Sequence, residues 1–97
     1  MTKSEIKEYL EHYRDKKTVA EFKIKQGEME SRVVRCIKGI EDCLESLPDG
    51  LGDILRQLYF DGKSIRKVSE KLYFSRMTLA RKRDKAVELM AVCLSEI

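Results

Sequence analysis

The residues best equipped for chemistry crowd into one stretch, "SRMTLARKRDK" (75–85). An Arg fork can pair bidentately with a guanine edge, and a Met side chain or a Thr methyl can touch a thymine methyl. On that chemistry Arg76, Met77, Thr78 and Arg81 are candidates for reading base edges. Ser64, Arg66, Lys67, Lys82 and Lys85 suit phosphates, which set position and salt dependence but carry no sequence information. Ser75 is assigned first to capping a helix, with contact to nucleic acid as its secondary role. The charge distribution picks out the same region. Residues 1–48 hold ten Lys/Arg against ten Asp/Glu, whereas within 56–85 ten bases face only Asp61, Glu70 and Asp84. The whole chain is only +3, so its basic field is local.

Other chemistry-bearing groups fare less well. Glu11, His12 and Asp15 make an acid/base cluster, but they fall on a charged helical face with no Gly-rich loop or metal spacing nearby. An enzyme is therefore not expected, and neither is a cofactor. Cys36, Cys43 and Cys93 have no framework spacing, and a zinc site would need ligands beyond the distant His12, so they read as ordinary semi-buried thiols of a reducing compartment. Tyr73 and Phe74 are a possible stacking pair for single strands. The competing expectation, which we favour, is that one or both plug the corner between two helices.

These side chains need helices to position them. The chain has one Pro, five Gly and no Trp, and 38% of its residues are charged. No segment reads cleanly as a strand, so the expected class is all-α. No apolar run approaches the ~18–20 residues that span a bilayer, and the N-terminus lacks the apolar block of a secretory signal, so a cytoplasmic protein without membrane contact is expected.

Residues 4–25 carry Ile6, Tyr9, Leu10, Tyr13, Ala20 and Ile24 at helical spacing, with Ser4 as the expected cap. Gly27 is the natural break. A second helix then places Met29, Val33, Cys36, Ile37, Ile40, Cys43, Leu44 and Leu47 on one side, with Gly39 allowing a close neighbour. A hairpin and one long bent helix both fit residues 1–46. The stripe can close on itself or mate with a second copy, so homodimerisation through these helices is expected. "LPDGLG" (47–52) is the strongest punctuation. A third helix follows with Leu51, Ile54, Leu55 and Leu58, closed by Asp61-Gly62. Ser64 caps a short fourth helix with Ile65, Val68 and Leu72 inward. Ser75 caps a fifth, reaching roughly to Cys93, with Leu79, Ala86, Val87, Met90 and Leu94 inward.

A short helix, a three-residue link and a helix whose first turns lack an apolar stripe make a helix-turn-helix pattern, in which the second helix projects into the major groove. The stretch from Leu47 to Leu89 resembles the fourth region of bacterial sigma factors. Leu47-Pro48, Tyr59, Gly62, Ser64-Ile65, Val68, Leu72, Ser75, Thr78-Leu79 and Ala86 fall in order on the marks of that region. The Tyr-Phe-Ser-x-x-Thr version with Arg81 is most similar to small phage-encoded transcriptional activators. Gly50 and Gly52 stand where charged residues are usual, so the third helix is expected to start late. Ser69 replaces a small Ala, and Lys82 an aliphatic residue. The chain is too short for the other sigma regions, so a complete sigma factor is not expected.

The resemblance implies a helix-turn-helix unit without a wing over 47–97, following packing or dimerisation helices over 1–46. It implies sequence-specific binding of double-stranded DNA by a phage or prophage transcription regulator, with RNA polymerase as a further partner. A small terminase-like DNA-packaging subunit and a helical protein-interaction module are the alternatives.

Overall fold

Thr2 opens the first helix in the computed structural model, which describes residues 1–97. Its backbone is extended and its hydroxyl accepts from the Glu5 N–H at 3.2 Å, so Ser4, the expected cap, is already inside the first turn. The chain is all-helical: α1 (Lys3–Glu11), α2 (Tyr13–Lys25), α3 (Arg32–Ser46), α4 (Leu51–Leu55), α5 (Ile65–Leu72) and α6 (Arg76–Cys93). A π-helical turn, Arg56–Phe60, continues α4. No helix is long and apolar enough to cross a membrane.

The segment expected as one helix over 4–25 bends at His12, where φ is −114° and ψ 31°. No Gly or Pro marks the site. The bend lets the two halves serve different neighbours: α1 lies against α6 and the π turn, while α2 packs principally on α3. Gly27, at φ +81°, then reverses the chain. The observed form is therefore a bent first segment folded back as a hairpin with α3. Ser31 caps α3 through the Val34 N–H, so Met29 lies before the helix and is exposed, not part of its inner face. Cys36, Ile37, Ile40, Cys43 and Leu44 are buried as their spacing requires.

Leu47 is extended before Pro48, and Asp49 and Gly50 both take positive φ to turn the chain into α4. The helix does not start late; Leu51 is its first residue. Gly52 fits there because α3 crosses so closely that a Cβ would overlap the Leu44 carbonyl oxygen. Gly39 is crowded only by side-chain tips at the C-terminus, where a Cβ would stand 2.8 Å from Ile97 Cδ1 and 3.0 Å from Leu94 Cδ2, ends that can move aside as the Leu44 carbonyl cannot. Gln57, a buried polar residue absent from the expected core, donates to Asp53 at 2.8 Å.

One core joins both ends of the chain. Ile6 and Leu10 of α1, Ile37 and Ile40 of α3, Leu55 of α4, Val68 of α5 and Leu79, Val87 and Met90 of α6 are all almost fully enclosed. Tyr13 of α2 stacks on Phe60 of the π turn with ring centroids 4.2 Å apart. The interior therefore runs across the boundary at residue 46, and α1 contributes to the seat of α6. Burial at ~25 cal/mol per Å² of apolar surface makes this shared core the main force holding α6 in place.

Candidate nucleic-acid interface

Two capped helices frame the cationic stretch. The Ser64 hydroxyl accepts from the Lys67 N–H at 3.1 Å and begins α5. The Ser75 hydroxyl accepts from the Thr78 N–H at 3.1 Å and donates to the Thr78 hydroxyl at 2.9 Å, beginning α6. Only Tyr73, Phe74 and Ser75 link the two helices. Val68 and Ser69 of α5 and Leu79 of α6 are buried together at this corner. The Ser69 hydroxyl donates to the Arg66 carbonyl at 2.8 Å, so this buried polar atom is satisfied.

Beyond Leu79, α6 leaves the interior. No residue from Ala80 to Lys85 is buried, and Ala86, Val87 and Met90 then return the helix to the core. Arg76, Met77, Arg81 and Lys85 are exposed, and Thr78 and Lys82 are half-buried. None of these four cations takes part in the ion pairs of the chain. Arg81, Lys82 and Lys85 rim a groove of about 360 Å³ whose apolar lining includes Pro48, Leu51 and Leu89, with Asp49 at its edge. The α3–α4 turn thus stands beside the cationic face, an adjacency that no local pattern in the sequence announces.

The remaining candidates are placed less uniformly. Arg66 is exposed and pairs with Glu70 at 3.2 Å, one turn along α5. Lys67 and Ser64 are exposed at the start of the same helix. Lys82 lies with its amine 4.9 Å from the Phe74 ring centre, so part of its reach is spent on a cation–π contact. Arg83 turns the other way: it pairs with Asp84 at 3.2 Å and its charge opposes the rise that burial imposes on the Tyr59 phenol. The basic run therefore splits, with Arg81, Lys82 and Lys85 on one side and Arg83 on the other.

The corner differs from the favoured expectation for Tyr73 and Phe74. Phe74 lies under Lys82 at 37% exposure and Tyr73 is 94% exposed, so neither ring is part of the core at the corner. For Tyr73 the reason is local: it takes φ +60° to end α5, and that conformation throws its side chain outward.

Glu11, His12 and Asp15 gather at the bend between α1 and α2, beside a cavity of about 490 Å³ that Tyr59 and Phe60 also line. All three are exposed, and no hydrogen bond joins His12 to either carboxylate. No group of His, Cys, Asp and Glu side chains is arranged to hold a metal. Cys36 and Cys43 are buried and Cys93 is exposed. Burial, and then the neighbouring Cys93, push the Cys43 thiol up to about 12.

No family model, curated protein or solved structure matches this chain.

Proposed function

We propose that the chain is a sequence-specific, double-stranded DNA-binding transcriptional regulator of phage or prophage type. In this reading α5 and α6 act as a helix-turn-helix of the sigma fourth-region kind, and α6 reads the major groove from Arg76 onward. The observation that carries the proposal is the course of α6, anchored by Leu79 and again from Ala86, with Arg81 and Lys85, exposed and outside every ion pair, between them. A duplex needs such a ridge: base-reading Arg side chains near the front of a helix, flanked by phosphate-holding Lys. Arg76, Met77, Thr78 and Arg81 take the base edges, and Arg66, Lys67, Lys82 and Lys85 take phosphates. Ser64 and Ser75, committed as caps, contribute to DNA through what their hydroxyls and backbone leave free. An RNA polymerase contact belongs to the proposal through the sigma resemblance alone.

The homodimer belongs to the same proposal, on a different surface from the expected stripe. Ile6 and Leu10 are enclosed within one chain, whereas Val19 and Phe22 on α2 stand exposed, bracketed by exposed Asp15 and Lys25. An antiparallel two-fold pairing of α2 would set Val19 of one copy against Phe22 of the other and bring opposite charges together at both ends.

Selection of preferred duplexes from a random pool at two ionic strengths tests the reading. An enriched site whose affinity falls with salt supports it. Salt-dependent binding without enrichment, together with ring assembly, points instead to a packaging subunit. No duplex binding at low salt sinks it in favour of a protein-interaction module.

A further inference from the structure

Tyr73 is hard to explain by folding. It holds φ +60° and ψ 33° at the end of α5, its N–H bonded to the Ser69 carbonyl, and the next N–H, that of Phe74, reaches the same oxygen at 3.0 Å. Helices close this way most readily with Gly, because a Cβ in the left-handed region crowds the following carbonyl. The other positive-φ positions here obey that preference: Gly27, Gly50 and Gly62, with only the short Asp49 besides. A bulky aromatic at Tyr73 is strained, and at 94% exposure it buries almost nothing in return. Its surroundings are cationic, with exposed Lys71 before it and exposed Arg76 after it, and exposed Met77 on the next turn. An outlier of this kind, beside an open cationic face, points to a ligand-facing role.

We propose that Tyr73 seats on the sugar–phosphate backbone of duplex DNA, its ring against a sugar and its hydroxyl donating to a phosphate oxygen. The inference rests on the duplex-binding reading above and extends that interface from α6 onto the α5–α6 link. A phenol suits this place because it is apolar along its body and a donor at its tip. Single-strand stacking is the less favoured partner, since Phe74 is engaged by Lys82 and the two rings form no continuous platform.

The test compares full-length Tyr73→Gly, Tyr73→Phe, Arg81→Ala and Lys85→Ala with the parent chain, using the selected duplex and chemical denaturation. Tyr73→Gly should be at least as stable as the parent, because Gly relieves the left-handed strain. It should nonetheless bind duplex about tenfold more weakly, the size of one lost charge-assisted hydrogen bond. Tyr73→Phe should reproduce most of that loss. Both should weaken all sequences alike and leave the salt slope unchanged, because a neutral donor releases no counterion, whereas Lys85→Ala should reduce the slope. Parental affinity in Tyr73→Gly while Arg81→Ala binds poorly would overturn the inference and leave the regulator reading standing. So would full affinity in Tyr73→Phe, a marked loss of stability in Tyr73→Gly, or a loss confined to single-stranded oligonucleotides. A parent chain that binds no duplex overturns both readings together.

Discussion

Gly52 of α4 lies directly against the Leu44 carbonyl of α3, leaving no room for even a methyl group. This crossing fixes how α4, and the groove beside α6, sit on the N-terminal helices. Gly52→Ala must push backbone against backbone, and a destabilisation of about 3 kcal/mol is expected in urea unfolding, at the upper end of overpacking costs. Gly27→Ala is the control. Nothing lies within 4 Å of its would-be Cβ, so only the positive φ is penalised, at about 1 kcal/mol. Equal effects at the two positions would show that the crossing is not tight.

Arg81 and Lys85 share a face of α6 but should fail differently when removed. Arg76→Ala and Arg81→Ala are each expected to cost about 1–3 kcal/mol and to relax preference at one base pair. Lys85→Ala should weaken every sequence alike and lower the salt slope by about one unit. Titration of the selected site and single-base variants at several salt concentrations separates these outcomes.

Glu41 links α3 to α2, accepting from the Lys17 amine at 2.6 Å and from the Tyr13 hydroxyl. Burial alone would raise the Glu41 pKa, but Lys17 and Tyr13 outweigh it and hold the carboxyl below its usual 4.5. A lowered acid stabilises the fold above its unfolded pKa, and that contribution is lost as pH falls below about 4.5. Tyr13 shows the opposite sign. Burial, then the Glu41 carboxylate, push its phenol from 10.0 up to about 12, so its contribution persists to pH 10 and is lost between 10 and 12. In denaturant midpoints measured against pH, Glu41→Gln should flatten the acid limb. Tyr13→Phe should flatten part of the alkaline limb, which it shares with Tyr9 and Cys43, pushed by burial up to about 12, and with Tyr59, which burial also raises.

Phe22 is 59% exposed on α2, so its removal should cost the monomer little. Phe22→Asp is expected to change unfolding free energy by no more than about 0.5 kcal/mol, as for an ordinary surface position. If α2 is the mating surface, the same change converts a dimer to a monomer in sedimentation equilibrium. A parent chain that stays monomeric at all concentrations removes the homodimer from the proposal.

Helix content was legible wherever a cap and a 3.6-residue period coincided. Ser64 and Ser75 sit where their helices begin, and Leu79, Ala86, Val87, Met90 and Leu94 are all buried. The open stretch between Leu79 and Ala86 was legible for the same reason, because an interrupted apolar stripe is a local property of the chain. The bend at His12 was not. It leaves no Gly or Pro signature and exists because Ile6 and Leu10 are drawn to α6 while Ala20 stays with α3. The exposed place of Met29 was not legible either, because its spacing fits the inner face of α3 but Ser31 starts that helix after it.

Amino-acid order by itself therefore determined the helical character of the chain, the caps at Ser64 and Ser75, the turn at Pro48–Gly50 and the cationic face of α6, since each follows from periodicity and backbone preferences acting over a few residues. Tertiary packing decided that α1 joins the seat of α6, that Pro48 and Leu51 wall a groove beside Arg81 and Lys85, and that Arg83 turns away from them. It also decided that no neighbour covers Tyr73. Those outcomes depend on which distant surfaces exclude water together, a competition among all the apolar faces of the chain that no single segment records.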